Sequence, residues 1–500
     1  MVFENTLVKR ILEKYRVLWS LDHAMSLMGW DSETYMPRAG VTERSMARAE
    51  LSVLRQKLLL DPEFTGLVEE AKGLEGLNDY EAGVVRVLDR EISIMKKLPP
   101  EHVFEFSRVT QEAVEAWRVA REKDDFNIFK PYLERIVELS RERAEYLGYE
   151  DHPYNALLDL YEEGLRVRDM DAIYDAIIPH SKKVLEKVQE EAYFPSHHEL
   201  EEIRYERSPM EKVNYEILDL LGYPWSRARI DVSPHPFTVS MGIRDVRITT
   251  RYEGIDFKNT IYSVVHEFGH ALYELQIDEA LMATPLASGV SMGVHESQSR
   301  FWENVIGRSR PFIAHLKKIL DKHLDFTRSY TEEEIYRYVN TVRPSLIRVE
   351  ADEVTYNFHT YLRYQLEKLL ITGEVRVDDL PELWASEMER LLGVKPKTHR
   401  EGVLQDIHWS HGSIGYFPTY TLGNVIAAQI RAKADEELKG LATLVEEGEF
   451  NVIKEYLREK IHRWGSTYPP RELVEKATGE PVNPEHFNNY LTEKFLSKKI

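Results

Sequence analysis

Apolar positions along this chain recur mostly at the helical period. Between residues 5 and 28, Leu7, Ile11, Leu18, Leu21, Met25 and Met28 fall at helical spacing, which predicts an amphipathic helix. A turn is expected after it, at Gly29, Trp30, Asp31 and Pro37. The same periodicity predicts helices over roughly 41–60, 78–98, 101–123 and 130–147, separated by Asp61-Pro62, Pro99-Pro100 and Asp124-Asp125. Segment 151–164 begins near a proline and closes on a glycine, the order a helix prefers. Charged helices are expected at 169–192 and 199–221, and further ones at 311–324, 331–341, 345–372, 379–392, 421–447, 450–463 and 485–497. One region alternates instead. In 236–252, Phe237, Val239 and Met241 alternate, as do Val246, Ile248 and Thr250, with Gly242 to Arg244 as the turn. That pattern predicts a short antiparallel hairpin. Residues 397–420 are rich in Gly, His and aromatics without a period, and irregular stretches of that length are usually functional.

These elements predict one mostly α-helical domain over 1–500, with two lobes flanking a deep groove and a small antiparallel hairpin beside the helix described next. That helix is Asn259 to Ile277, NTIYSVVHEFGHALYELQI. Its His266, Glu267 and His270 spell H-E-x-x-H, and residues four apart share a helix face. Two imidazoles can then reach one metal ion, with Glu267 one step round and able to act on a water. Ile261, Val264, Val265, Phe268, Ala271, Leu272 and Leu275 predict burial, and Asn259 or Thr260 is the expected N-cap. Two buried imidazoles and a carboxylate would cost several kcal/mol unless paired or metal-bound. A metzincin would place Gly and His where Tyr273 and Gln276 stand, so the third ligand comes from elsewhere. Glu296, on the next helical run VHESQSRFWENVIG, is the expected third ligand. His295 competes for that role, but neighbours on a helix point about 100° apart and cannot both ligate.

Composition narrows the chemistry further. There are no cysteines, so any metal is held by His and carboxylate. A formal charge of −20 disfavours nucleic acid and anionic membranes as partners. No apolar run is long enough to span a membrane, and the charged N-terminus lacks a signal core, so a cytoplasmic location is expected. Absent Cys with abundant Glu, Lys and Arg leans thermophilic.

Further clusters accompany the motif. They are WDSETYMP (Trp30 to Pro37), PYNALLDLYEEG (Pro153 to Gly164), His235-Pro236-Phe237, and D-x-R-x-T at Asp245, Arg247 and Thr249. HESQ (His295 to Gln298), IRVEAD (Ile347 to Asp352) and Gly402, Gln405, Asp406, His408 and Trp409 complete the set. Together with HEFGH they resemble the carboxypeptidase Taq family of metallocarboxypeptidases, over nearly the whole chain. The resemblance implies a helical gluzincin-like fold, a homodimer, and release of single residues from the free C-terminus of peptides with broad side-chain specificity. It also implies one divalent ion, Zn2+ or Co2+, on His266, His270 and Glu296, with Glu267 as general base. On the same resemblance Arg348, in IRVEAD on a long helix, would clamp the substrate's terminal carboxylate, unless it pairs with Glu350 or Asp352. Arg247 is the alternative clamp. His235, His408 and Tyr420, with Tyr416 as substitute, are candidate donors to the developing oxyanion, and Gln405 and Asp406 would orient His408. Glu274 or Glu303 could hold a ligand histidine. The alternative function is an oligopeptidase or dipeptidyl carboxypeptidase on the same fold.

Overall fold

A computed structural model describes residues 2–438 and 440–497. The chain divides into two units: Met1–Lys96, Glu199–Val339 and Ile426–Val482 form the first, and Lys97–His198, Asn340–Val425 and Asn483–Ile500 the second. The fold is mostly helical with one three-stranded sheet, and no helix among the described residues is long and apolar enough to cross a membrane.

In the first unit the N-terminal helix is Thr6–Thr34. Asn5 caps it, its side chain accepting the Leu7 and Val8 amides, and Val8, Ile11, Tyr15 and Leu18 form its buried stripe. These pack with Leu67, Val68, Val84 and Leu88, and with Ile277, Leu281 and Leu286 just beyond the H-E-x-x-H helix. The turn expected at Gly29 does not form, and the helix runs on to Thr34. An internal glycine costs about 1 kcal/mol; Arg44, bonded to the Met28 carbonyl and to Asp31, supports this end. Helix Pro62–Lys72 was not expected, although Asp61 caps it and Pro62 opens it. Residues 421–447 are not one helix: Gly440, at φ 115°, separates Phe417–Glu437 from Leu441–Glu447.

The sheet contains strands β1 (Ala228–Val232), β2 (Thr238–Gly242) and β3 (Asp245–Thr250) in the order β1-β3-β2. The hairpin β2–β3 is antiparallel as expected, with Thr238 opposite Ile248, and it is bulged between Ser240 and Gly242. Strand β1 is an addition, parallel to β3 with Arg229 opposite Arg247. Its Arg229 and Asp231 pair with each other on one face, alternating with Ala228, Ile230 and Val232.

The second unit is built on Pro100–Lys123, Phe126–Leu147, Val167–Glu191, Tyr356–Thr372 and Leu380–Leu392. Asp124, left-handed at φ 56°, ends the first of these, and Asp125 caps the second. Of the helix expected over 151–164 only Tyr154–Leu158 forms; Asp159 accepts the Gly164 amide and rounds the chain into a turn.

Candidate active site

Fifteen of the nineteen residues of helix Phe257–Leu275 are buried, so each polar side chain on it needs a partner. The helix begins earlier than its cap residues suggested. Asp256 is the N-cap, in left-handed backbone without a side-chain cap bond. Tyr338 substitutes: its hydroxyl accepts the Lys258 amide at 3.0 Å and donates to Asp256 Oδ1 at 2.7 Å. Asn259 and Thr260 therefore lie inside the first turn.

Gly269, within HEFGH, sets the distance to the next helix. A Cβ there would stand 2.5 Å from the Gln298 carbonyl oxygen and 2.6 Å from Ser299 Cα. Only glycine lets helix Met292–Arg300 lie so close against the histidine-bearing helix. That approach delivers Glu296, whose Oε2 is 3.6 Å from His266 Nε2 and 3.4 Å from His270 Nε2. Among the described residues these three form the one cluster able to hold a metal, one donor atom from each lying within 4.8 Å of the others. Donors about 2.1 Å from a tetrahedral ion stand about 3.4 Å apart, so this set fits a divalent cation.

The remaining ring atoms are committed elsewhere. His266 Nδ1 is 2.8 Å from Glu303 Oε2, and His270 Nδ1 is 2.7 Å from His295 Nδ1. Glu303 rides on a π-helical stretch, Phe301–Gly307, and also receives Arg300 and Arg308. Arg300 Nε donates to Glu296 Oε1 at 2.7 Å, leaving Oε2 toward the histidines. His295 does not ligate; its Nε2 is 2.9 Å from Glu274 Oε1. Both carboxylates considered from sequence are thus employed, Glu303 directly and Glu274 through His295.

Charge follows from these contacts. Burial opposes ionisation of Glu296 and Glu303, but Arg300 and the histidines hold both below the usual carboxylate range. Burial pushes His270 down to about 3, so it is a neutral donor at working pH. Burial alone would lower His266, yet Glu296 and Glu303 raise it above its ordinary value. Burial raises Glu267, against the pull of His266 and Thr238. Thr238, on β2, donates its hydroxyl to Glu267 Oε2 at 2.6 Å. The sequence offered no signal for Thr238 beyond its place in an alternating strand.

The sheet carries two other expected residues. His235 is exposed between β1 and β2, its carbonyl accepting the Ser233 hydroxyl. Arg247 is paired two-pronged with Asp245, at 2.8 and 2.7 Å, and stacks 4.4 Å from the Trp30 ring. The WDSETYMP segment thus packs on the sheet, Tyr35 donating to Asp231 at 2.5 Å.

The second unit gathers Arg348, His408, Tyr416 and Tyr420. Arg348 is not on a long helix but in a short turn, Arg348–Glu350, with helix structure resuming at Tyr356. It is 6% exposed, and its Nε and Nη2 donate to Asp406 Oδ1 while Nη1 donates to Tyr356. Its carboxylate partner is therefore neither Glu350 nor Asp352. Arg363 holds the other oxygen of Asp406, and Gln405 accepts the Arg348 amide. Gln405 and Asp406 hence position Arg348 rather than His408. His408 Nε2 lies 3.0 Å from the Tyr420 hydroxyl, and its ring packs 4.5 Å from Phe417 and 5.5 Å from Tyr416. Burial and Arg348 push His408 down to about 3, so it is neutral.

A helix-borne His2Glu centre with a positioned glutamate beside it defines a metallopeptidase site. Comparison with known proteins agrees. The carboxypeptidase Taq (M32) metallopeptidase family matches residues 10–495, and the chain belongs to it. The chain is 55% identical over 496 residues to thermostable carboxypeptidase 1 of Pyrococcus furiosus, covering 99% of each. It is 38% identical to thermostable carboxypeptidase 1 of Thermus thermophilus, covering 98% of each. The solved structure of Pyrococcus furiosus carboxypeptidase in an apo-Mg form superposes with a TM-score of 0.98, over 99% of this chain and 100% of that one. The protein is accordingly a metallocarboxypeptidase that requires a divalent metal.

Proposed function

We propose that the protein releases single amino acids from the free C-terminus of peptides, with Glu267 as general base and broad side-chain tolerance. The observation that carries this is Glu267 itself, buried next to ligand His266, its Oε2 held by Thr238 and its pKa raised by burial. A base tuned upward from the ordinary carboxylate range suits work near neutral pH. His266, His270 and Glu296 would hold one Zn2+ or Co2+, which supplies carbonyl polarisation and acidification of water when bound. Glu267 takes a proton from the attacking water as the new C–O bond forms. It then gives that proton to the amine nitrogen of the departing residue as the C–N bond breaks, yielding a shortened peptide and one amino acid. Thr238 keeps Oε2 occupied, which leaves Oε1 to carry the proton.

Arg348 is the cation we assign to the terminal carboxylate, with Arg247 as alternative; Asp406 and Tyr356 hold the Arg348 guanidinium rigid. Tyr420 and neutral His408, bonded to each other and flanked by Tyr416, are our donors to the oxyanion, with His235 a further candidate. We further propose a cytoplasmic homodimer, stable to heat as the names of its relatives indicate for them. The test is hydrolysis of N-blocked dipeptides bearing free or amidated C-termini. Cleavage confined to the free acid is expected. Equal rates would favour the oligopeptidase reading, and release of dipeptides from longer substrates the dipeptidyl carboxypeptidase one.

A further inference from the structure

We propose that His295 is a positioning residue of the metal centre: its ring, held by Glu274, accepts the His270 Nδ1–H and so keeps His270 Nε2 turned toward the position that His266 and Glu296 share with it. This rests on the metal-site reading of His266, His270 and Glu296, and on nothing about peptide specificity.

The direction of each hydrogen bond follows from counting protons. A histidine that gives Nε2 to a metal ion carries its proton on Nδ1. His270 Nδ1 and His295 Nδ1 are 2.7 Å apart, so one must donate and the other accept. With Nε2 as its donor to the ion, His270 is the one that donates and His295 Nδ1 accepts, while Glu274 Oε1 fixes the far side of the His295 ring. It already accepts the Gly289 amide at 2.8 Å, and His295 Nε2 reaches the same oxygen at 2.9 Å. Facing a carboxylate oxygen, His295 Nε2 is the protonated nitrogen. That leaves its Nδ1 to accept the proton carried on His270 Nδ1. The two ligand histidines therefore have unlike supports: His266 faces a carboxylate, Glu303, while His270 faces a second imidazole.

The surroundings hold that ring in place. Tyr273 packs 5.1 Å from it and accepts the Val290 amide on its hydroxyl. A Cβ on Gly289 would come within 2.6 Å of His295 Cδ2 and 2.9 Å of Tyr273 Cε1. Gly289 is not in left-handed backbone. Its lack of a side chain makes room for His295 rather than for a turn.

The test is Zn2+ affinity of metal-free protein, measured by competition with a chromophoric chelator. His295→Phe keeps a ring but removes the acceptor, and a loss of roughly 10–100-fold is expected. His295→Asn returns an acceptor near the Nδ1 position and should recover most of that loss. Gly289→Ala changes no polar group, yet should also weaken binding by displacing the ring. Wild-type affinity in His295→Phe, or His295→Asn as weak as His295→Phe, overturns the proposal. Should His295→Phe fail to fold, 15N-labelled histidine spectra of the Zn2+-loaded wild-type protein decide it. His270 is expected as the Nδ1–H tautomer and His295 as the Nε2–H tautomer; the reverse pair overturns it. Neither readout involves a peptide, so this inference fails or stands separately from the carboxypeptidase reading.

Discussion

Replacing Gly269 by alanine adds one methyl group at the tightest point between the two ligand-bearing helices. The new Cβ would lie 2.5 Å from the Gln298 oxygen and 2.6 Å from Ser299 Cα, whereas ordinary contact begins at 3.4 Å. Both neighbours are backbone, so neither can rotate away. Relief requires the helices to part by about 0.8–0.9 Å, and overpacking of this kind costs about 1–3 kcal/mol. The larger consequence is at the metal centre. Glu296 Oε2 now stands 3.4 and 3.6 Å from the histidine nitrogens, and the same displacement would carry it beyond 4 Å, outside the spacing of about 3.4 Å that a tetrahedral ion needs. Gly269→Ala is therefore expected to lose at least tenfold in metal affinity and to gain less thermal stability than wild type when metal is added. Chelator competition and melting curves with and without Zn2+ measure both. Gly66→Ala, whose Cβ meets nothing within 4 Å in helix Pro62–Lys72, is the control and should match or slightly exceed wild type. Wild-type metal affinity in Gly269→Ala would refute the role given to that contact.

Three other outcomes are expected. Thr238→Val removes the hydroxyl on Glu267 while keeping the shape, so kcat should fall about tenfold with metal content and KM little changed, worth roughly 1–1.5 kcal/mol. Equal losses in metal content would show that the hydroxyl matters to the site's architecture instead. Glu367, fully buried with Tyr154, Trp409 and the Gly415 amide donating to it, is pushed by burial from 4.5 up to about 7. Between those values the folded protein holds a proton the unfolded chain has released, so this group's contribution, up to roughly 3 kcal/mol, is lost as pH rises from 4.5 to 7. In urea unfolding, wild type should thus lose stability relative to Glu367→Gln, an uncharged stand-in for the protonated acid, between pH 4.5 and pH 8, and parallel curves would contradict this. Arg348→Leu leaves Asp406 with Arg363 alone; KM for free-acid dipeptides should rise at least tenfold with metal affinity unchanged, whereas an unaltered KM would point to Arg247.

Much of the candidate metal cluster was readable from the chain because its geometry is local. Two histidines four apart on an apolar helix, and a carboxylate on the next helical run, require only the helical repeat and one short connection. The supporting residues were not readable for the opposite reason. Thr238 reaches Glu267 from the sheet to the helix, and the roles of Gly269, Gly289 and His295 depend on which backbones approach each other. Arg348 shows how periodicity misleads. LIRVEADEVTYNF has apolar residues at suitable spacing, but Asp352 accepts the Val354 and Thr355 amides and the Arg343 amide, so the chain turns before Tyr356 and the helix starts there. Side-chain competition for backbone donors outweighed a hydrophobic repeat. Strand β1 alternates as its neighbours do, Ala228, Ile230 and Val232 between Arg229 and Asp231, and lay within reach of the same pattern.

The most direct measurement is Glu267→Gln, purified with its metal content determined and assayed for release of single amino acids from a defined peptide. One divalent ion per chain should remain, since His266, His270 and Glu296 are untouched, while kcat falls by at least two to three orders of magnitude. Hydrolysis at the wild-type rate by metal-loaded Glu267→Gln would contradict the assignment of Glu267 as the base.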